Sequence, residues 1–280
     1  MEDYADRLQA FGDEDHPLSM SGLDGMLQCD WRAAMFFLEM TADHGSVAAQ
    51  NGTAVGRAIE LFHKGLDLPA ALRQVELDST GGSEDGRPFP DYDDAQVLKW
   101  FGAYVKDPRN DPYTLVHEDS QEAEVRFELA PHDLDPTGKP VVLVGHPDQL
   151  RKGGKGPSRV WDVKSGKGGG CQLRKDHAFQ QAAYTVAANQ DGRWGKVIPG
   201  GIIRLRGYFC RGNKTMQPGT HPVFFPYEYG IDDCALLLDS LRLRVAMIRR
   251  GEITPKPGVP CAYCPAGGPE ECLRLYRSLC

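Results

Sequence analysis

The sequence predicts an α/β protein in which helices flank a mixed central sheet. Apolar residues recur at helical spacing through the first hundred residues, and the period changes to strand-like alternation in residues 122–130. Helical spacing returns in a long stripe near the C-terminus, from Cys234 to Ile248. The chain has 280 residues, of which 41% are hydrophobic, so a large buried core is expected.

The N-terminal part is expected to be mainly helical. Residues 1–18 are acidic with few large apolar side chains, so they are predicted to be a flexible tail. Ser19 or Ser21 could cap a first helix that continues to Leu38. Further helices are predicted at residues 53–66, just after Pro69, and at 93–105.

The middle of the chain is expected to form the sheet. The spacing predicts a three-stranded antiparallel meander from residues 122–130, 141–144 and 159–164. A helix at 174–189, strands at 202–210 and 223–227, and the C-terminal helix should follow. The predicted organisation is therefore a tail (1–18), a helical N-terminal region (19–110), an α/β core (111–250) and a cysteine-rich region (251–280).

The charge is distributed unevenly along the chain. The formal net charge is −7, which alone would argue against a nucleic-acid partner. Residues 136–280, however, carry 22 bases and 11 acids, a net charge of +11. Glycine- and lysine-rich loops at 151–157 and 166–170 are expected to flank the acids described next, where they could follow a phosphate backbone. The C-terminal half is thus the expected nucleic-acid-binding part.

Two acids and a lysine lie on predicted neighbouring strands. Asp162 and Lys164 are two residues apart, so they project from the same face of their strand, and Asp148 can join them from the strand beside it. Two carboxylates with one ammonium form a site for a hard divalent cation such as Mg²⁺ or Mn²⁺. Such a cation lowers the pKa of a bound water and neutralises charge on phosphate.

A second pair of polar residues follows on the next predicted helix. Gln180 and Tyr184 are four residues apart and therefore share a helical face. Both side chains can hydrogen-bond to phosphate or to an attacking water.

These motifs together resemble the PD-(D/E)XK nucleases of the RecB-like type. The series is G-x-x-D ending at Asp148, D-x-K from Asp162 to Lys164, and Q-x-x-x-Y from Gln180 to Tyr184, and residues 51–60 look like the G-T-x-x-H-x-x-x-E segment of that family. The resemblance implies a restriction-endonuclease-like core. It also implies that Asp148, Asp162 and the Val163 carbonyl hold the cation, that Lys164 activates or stabilises, and that Gln180 and Tyr184 position phosphate.

The sequence departs from this family at one position. The usual histidine falls at Gly56, which leaves open how the metal is held and whether the site is catalytically competent. Four side chains could substitute for it: Glu60, His63, Glu124 and His146.

The cysteines suggest a second metal centre. Eight cysteines without a secretory signal argue against a disulfide scaffold. Cys261 and Cys264 form a short C-x-x-C loop, which pre-organises two thiolates for one metal. The arrangement resembles the iron–sulfur RecB-like nucleases, the AddB-type subunits and the CRISPR-associated Cas-four exonucleases. That resemblance implies a C-terminal iron–sulfur region, a [4Fe–4S] cluster held by Cys29, Cys261, Cys264 and Cys272, with Cys280 as alternative fourth ligand and zinc as the competing metal.

The leading functional hypothesis is a metal-dependent DNA exonuclease that acts on single strands or ends. Recombination, repair, phage DNA processing or CRISPR adaptation would be its setting, with helicase, recombination or adaptation proteins as partners. The alternatives are a DNA-binding module with a degraded site, and a cluster- or zinc-bearing interaction protein. No apolar run approaches the roughly 18 residues that a membrane helix needs, and no signal peptide is visible, so a cytoplasmic protein of a prokaryote or phage is expected.

Overall fold

The computed structural model describes residues 2–23, 29–38, 47–82, 89–110, 117, 124–152, 154–165, 178–205, 223–227 and 230–253. The helices are α1 (Glu2–Leu8), α2 (Asp30–Phe37), α3 (Val47–His63), α4 (Leu68–Leu77), α5 (Asp94–Val105), α6 (Ala178–Asp191) and α7 (Ile231–Arg249). The strands are β1 (Leu18–Ser19), β2 (Val125–Leu129), β3 (Val141–Gly145), β4 (Gln149–Arg151), β5 (Ser158–Lys164), β6 (Val197–Arg204) and β7 (Val223–Pro226).

The described strands form two mixed sheets, which confirms the predicted α/β class. One sheet has the order β1-β3-β2, with β1 parallel and β2 antiparallel to β3. The other has the order β4-β5-β6-β7, in which β5 and β6 are parallel and the outer pairs are antiparallel. This mixture is consistent with a restriction-endonuclease-like core.

The predicted three-stranded meander is wrong in its third strand. β2 and β3 pair as expected, but β5 pairs with β4 and β6 rather than with β3. The ladder of β3 ends at Gly145, and the chain passes through Pro147, which has no N–H to donate, before β4 begins. β4 is not predicted from the sequence because three residues are too few to show the alternation of a strand.

Residues 2–16 pack against the body of the protein, whereas their composition predicts a flexible tail. Leu8 and Phe11 are buried in the core. The Phe11 carbonyl accepts a hydrogen bond from Arg249 Nε at 2.8 Å, and Arg249 also forms a fully buried ion pair with Asp135. A buried guanidinium requires several acceptors, and this segment supplies one of them. Buried apolar side chains and hydrogen bonds to the body of the protein thus hold the segment together.

The first predicted helix also differs from the structure. Ser19 ends β1, Met20–Gly22 form one 3-10 turn, and α2 begins only at Asp30, with Cys29 as its N-cap residue. Residues 24–28 lie outside the described part. The later helices occur near their predicted positions, and the side chains of Asp67 and Asp93 cap α4 and α5.

The core has two parts, one on each face of the second sheet. Successive residues of β5 alternate between them: Val160 belongs to the cluster that includes α6 and α7, whereas Trp161 and Val163 pack against the cluster formed by α3, α4 and α5. The α6 face therefore receives the side chains of Asp162 and Lys164. Within the described residues, no helix is long and apolar enough to cross a membrane.

Candidate active site

The structure brings the two predicted acids and the lysine together. Lys164 Nζ lies 2.8 Å from Asp162 Oδ1. The backbone N–H of Val163 donates to Asp148 Oδ2 at 2.7 Å. Asp162 is only 2% exposed, while Lys164 and Asp148 are half-buried, so the cluster opens to solvent on one side.

The β4–β5 hairpin sets this geometry. In the register of the hairpin, Gln149 lies opposite Trp161, so the residue before Gln149 lies beside Asp162. The backbone ladder of β4 begins only at Gln149, and the Asp148 carboxylate accepts the next N–H of β5, that of Val163. Asp148 is thus held by the same strand that carries the other two groups.

Helix α6 supplies the two further residues that the sequence analysis singled out. Gln180 Nε2 donates to Asp162 Oδ1 at 3.1 Å, and Gln180 also hydrogen-bonds with the Tyr184 hydroxyl. Burial and the negative charges of Asp148 and Asp162 raise the pKa of Tyr184. The hydroxyl therefore keeps its proton at neutral pH and acts as a hydrogen-bond donor.

Gly145 allows Tyr184 to reach this position. A Cβ atom on Gly145 would lie 2.9 Å from the Tyr184 hydroxyl oxygen and 3.3 Å from Met20 Cβ. Both distances are shorter than ordinary contacts, so a side chain here would displace the tyrosine or the 3-10 turn. Gly145 is the glycine of the G-x-x-D motif, and no local sequence pattern indicates its close approach to Tyr184.

The electrostatics of the pair favour a bound cation. Burial and the neighbouring Asp162 charge raise the pKa of Asp148 to about 7, although Lys164 and the Val163 N–H act in the opposite direction. Asp162 Oδ1 accepts from both Lys164 and Gln180, whereas Oδ2 is buried and no N–H donor of the described residues reaches it. The Asp148 carboxyl hydrogen-bonds with Asp162 when it is protonated. A divalent cation would satisfy this oxygen and remove the repulsion, so the donor set fits Mg²⁺ or Mn²⁺.

The structure does not add a third acidic or histidine ligand. Among the described residues, no group of three His, Cys, Asp or Glu side chains is arranged to hold a metal. Glu60 forms ion pairs with Arg57 and Lys64, and His63 is buried against the Tyr104 hydroxyl. The other two candidate substitutes, His146 and Glu124, are exposed, and His146 Nε2 lies 3.8 Å from Glu124 Oε2.

Gly56 leaves room at the position where the family has histidine. It is exposed on α3, and a Cβ atom there would meet no heavy atom within 4 Å. The backbone at this position therefore leaves room for the Cβ atom of another residue.

The prediction that both basic loops flank the acids is wrong for the first loop. Residues 152–157 connect β4 to β5 at the end of the hairpin opposite to Lys164. Four residue steps along β5 separate Ser158, at the loop end, from Asp162, about 13 Å at the usual strand rise. The second loop, residues 166–170, lies outside the described residues.

Only two of the eight cysteines lie in the described part of the chain. Cys29 is buried at the N-cap of α2 and is not in a disulfide. Cys234 is buried, its thiol donates to the Gly230 carbonyl, and burial raises its pKa to about 11, as expected for a structural thiol. The other proposed cluster ligands, Cys261, Cys264, Cys272 and Cys280, lie outside the described residues.

A mixed-sheet fold that brings paired carboxylates and a lysine together is compatible with hydrolysis of phosphodiesters. A family model, the PD-(D/E)XK nuclease superfamily, matches residues 17–267. The chain belongs to this superfamily.

The comparison with solved structures agrees at the level of the fold. The chain is similar to a crystal structure of a candidate exonuclease from Eubacterium rectale, with a TM-score of 0.51, 14% identity, and coverage of 94% of this chain and 91% of that chain. The structure of SSO0001 gives a TM-score of 0.34 at 14% identity, covering 87% of this chain and 93% of that one. No protein of curated function matches the sequence.

Proposed function

We propose that this chain is a divalent-metal-dependent DNA nuclease, and an exonuclease that acts on single strands or ends. The observation that carries the proposal is the Asp162 carboxylate. Its Oδ1 is held by Lys164 and Gln180, while its buried Oδ2 has no partner among the described residues. In a family of nucleases, such an oxygen next to a second, half-buried acid is the expected ligand of a catalytic cation.

Each side chain has a distinct task in this proposal. Asp148, Asp162 and the Val163 carbonyl would hold the cation. A bound Mg²⁺ or Mn²⁺ would supply a water of lowered pKa and positive charge against the phosphate. Lys164 is the only lysine within salt-bridge distance of Asp162 in the described residues, and its ammonium orients the attacking water or stabilises charge on the phosphate.

Gln180 and Tyr184 support the acids from α6. The Gln180 amide fixes the rotation of the Asp162 carboxylate, so that one oxygen stays directed away from the protein donors. The protonated Tyr184 hydroxyl is a donor close to two carboxylates and positions phosphate or the attacking water. Such supporting contacts usually contribute about 10–100-fold in metal affinity or activity.

Cleavage of end-labelled linear DNA and of circular single-stranded DNA, with Mg²⁺ and Mn²⁺ compared, tests the proposal. We expect the linear substrate to be degraded from its ends and the circle to persist. Asp162→Ala and Lys164→Ala should each lose about a thousandfold in rate, because several kcal/mol of transition-state stabilisation are removed. Full activity in both variants would refute the site, and cleavage of the circle would refute the exonuclease mode.

A second function is favoured by one observation, the glycine at position 56. The protein would then be a DNA-binding module with a weakened site, because glycine supplies no ligand atom at the position where the family has a histidine. Wild-type protein that binds single-stranded DNA without cleaving it in either metal would support this alternative. Gly56→His, which has space for the new side chain, should then restore cleavage.

We also propose a [4Fe–4S] cluster held by Cys29, Cys261, Cys264 and Cys272, with Cys280 as the alternative fourth ligand. The support is the C-x-x-C loop and the buried thiol of Cys29, which is not in a disulfide. Anaerobically purified protein should absorb broadly near ~400 nm and lose this absorption in Cys29→Ser. Colourless protein with stoichiometric zinc would identify zinc instead.

Recombination, repair, phage DNA processing or CRISPR adaptation is the proposed setting, with a helicase supplied by a partner.

A further inference from the structure

An arginine lies directly beside Lys164 in the sheet. Arg204 is the last residue of β6, and in the parallel β5–β6 ladder its Cα is the partner of Lys164 Cα. Its neighbours Ile203 and Leu205 both belong to the core cluster on the other face of the sheet. Because side chains alternate along a strand, the Arg204 side chain leaves from the face that carries Asp162 and Lys164.

Arg204 is a buried charge at this position. It is only 6% exposed, and a guanidinium keeps its charge at any physiological pH. Burying such a group is strongly unfavourable unless other groups compensate for the lost hydration. Arg204 takes part in contacts within the protein, but its planar fork has five N–H donors and can serve a phosphate as well.

Arg151 is also a buried arginine of this sheet, but it lies on the other face and has different partners. Arg151 lies on the opposite face, where its guanidinium donates to Gln149, to the Arg109 carbonyl and to the Tyr104 hydroxyl. Protein acceptors therefore hold Arg151 on the face of the sheet that does not carry the acids. Arg204 instead lies in a row of charged residues that crosses the sheet. The row begins with Asp148 beside β4, continues with Asp162 and Lys164 on β5, and ends with Arg204 on β6, where neighbouring strands are about 4.8 Å apart.

We propose that Arg204 binds the phosphate that adjoins the scissile phosphate, so that the bound strand crosses the sheet from β4 towards β6. This inference rests on the proposed nuclease function. Arg204 would then be a binding residue that contacts a non-reacting part of the substrate. Such a contact stabilises the ground state and the transition state equally, so its loss raises KM and leaves kcat nearly unchanged.

Steady-state cleavage of a single-stranded oligonucleotide by wild type, Arg204→Gln and Arg204→Lys tests the proposal. We expect Arg204→Gln to raise KM about tenfold with kcat within threefold, and Arg204→Lys, which keeps the charge but loses the fork, to raise KM by a smaller factor. The slope of log K against log salt should fall by about 0.7 in Arg204→Gln, as for one lost phosphate contact, and stay unchanged in Arg204→Lys. Arg159→Gln, an exposed arginine at the far end of β5, is the matched control.

The outcomes separate this inference from the proposed function. Inactive wild-type protein would refute the nuclease. Active wild type together with an unchanged KM and salt slope in Arg204→Gln would refute the role of Arg204 alone, as would a loss confined to kcat. If Arg204→Gln does not fold, Arg204→Lys decides, because a wild-type KM in that variant overturns the proposal.

Discussion

Two polar clusters lie on opposite faces of the β4–β7 sheet, and they differ in the partners of the oxygen atom at their centre, the Tyr104 hydroxyl in one and Asp162 Oδ2 in the other. On the α5 face, the Tyr104 hydroxyl accepts from Gln149 and Arg151 and therefore donates its own proton to His63 Nε2 at 2.7 Å. On the α6 face, Asp162 keeps one buried oxygen without a partner in the described residues. Burial alone thus does not mark a functional site, whereas an incomplete set of partners beside repelling charges does.

The two tyrosines of these clusters provide a matched test, because Tyr→Phe removes one buried hydroxyl in each. Tyr184→Phe should lower cleavage about 10–100-fold with little change in unfolding free energy, since the hydroxyl supports the acids. Tyr104→Phe should lower the unfolding free energy by about 2–4 kcal/mol, because it removes a hydrogen bond from each of three buried side chains, with activity of the folded protein within threefold. Denaturant unfolding and cleavage rates measure both, and the reverse pattern would contradict the assignment of the two clusters.

Gly145→Ala should lower activity by about tenfold. The new methyl group would meet the Tyr184 hydroxyl at 2.9 Å, so the tyrosine must move away from the acids. A rate equal to wild type would mean that the position of Tyr184 does not matter. Gly138→Ala is an unsuitable control because its φ is positive, whereas Gly56→Ala, also in open space, should retain activity.

The pH dependence of stability tests the repulsion between the acids. Without metal, folded Asp148 has a pKa of about 7 against an ordinary value of 3.8, so the folded state binds the proton more tightly. This contribution is present below about pH 4 and is lost as the pH rises through 7. Asp148→Asn removes it, so its thermal midpoint relative to wild type should be a few degrees higher at pH 8 than at pH 5.

The matching control for this pH effect is the divalent metal itself. Mn²⁺ added to wild type at pH 8 should reduce or reverse the advantage of Asp148→Asn. A difference between the two proteins that is independent of pH would mean that Asp148 does not titrate as described.

Thr185 provides the smallest expected effect. Its hydroxyl is buried and, among the described residues, has no hydrogen-bond partner, but no second charged group accompanies it. Thr185→Val should therefore be neutral or stabilising by up to about 1 kcal/mol, with unchanged cleavage. Loss of activity in this variant would place Thr185 in the site and would contradict the assignment of a functional role to Asp162 but not to Thr185.

The sequence predicted the acid–lysine site better than it predicted the sheet around it. Asp162 and Lys164 follow from the two-residue period of a strand, and Gln180 and Tyr184 from the helical period, so both pairs were accessible to local rules. The pairing of β5 with β6 depends on contacts between distant segments, which no local pattern encodes, and β4 is too short to be recognised as a strand. The close approach of Tyr184 to Gly145 could not be predicted for the same reason.

The packing of the N-terminal residues illustrates a second limit. The burial of Leu8 and Phe11 depends on Arg249, more than two hundred residues away, which needs the Phe11 carbonyl as an acceptor. Composition within a short window contains no information about such a partner. The register that places Arg204 beside Lys164 is likewise a property of the fold.

A calorimetric titration of Mn²⁺ into metal-free wild type and Asp162→Asn at pH 8 tests the central claim most directly. The claim is that a divalent cation is the missing partner of the Asp162 carboxylate. We predict saturable binding by wild type and a loss of at least tenfold in affinity in the variant, because the amide cannot supply an anionic ligand. Equal binding by both proteins would contradict this account of the site.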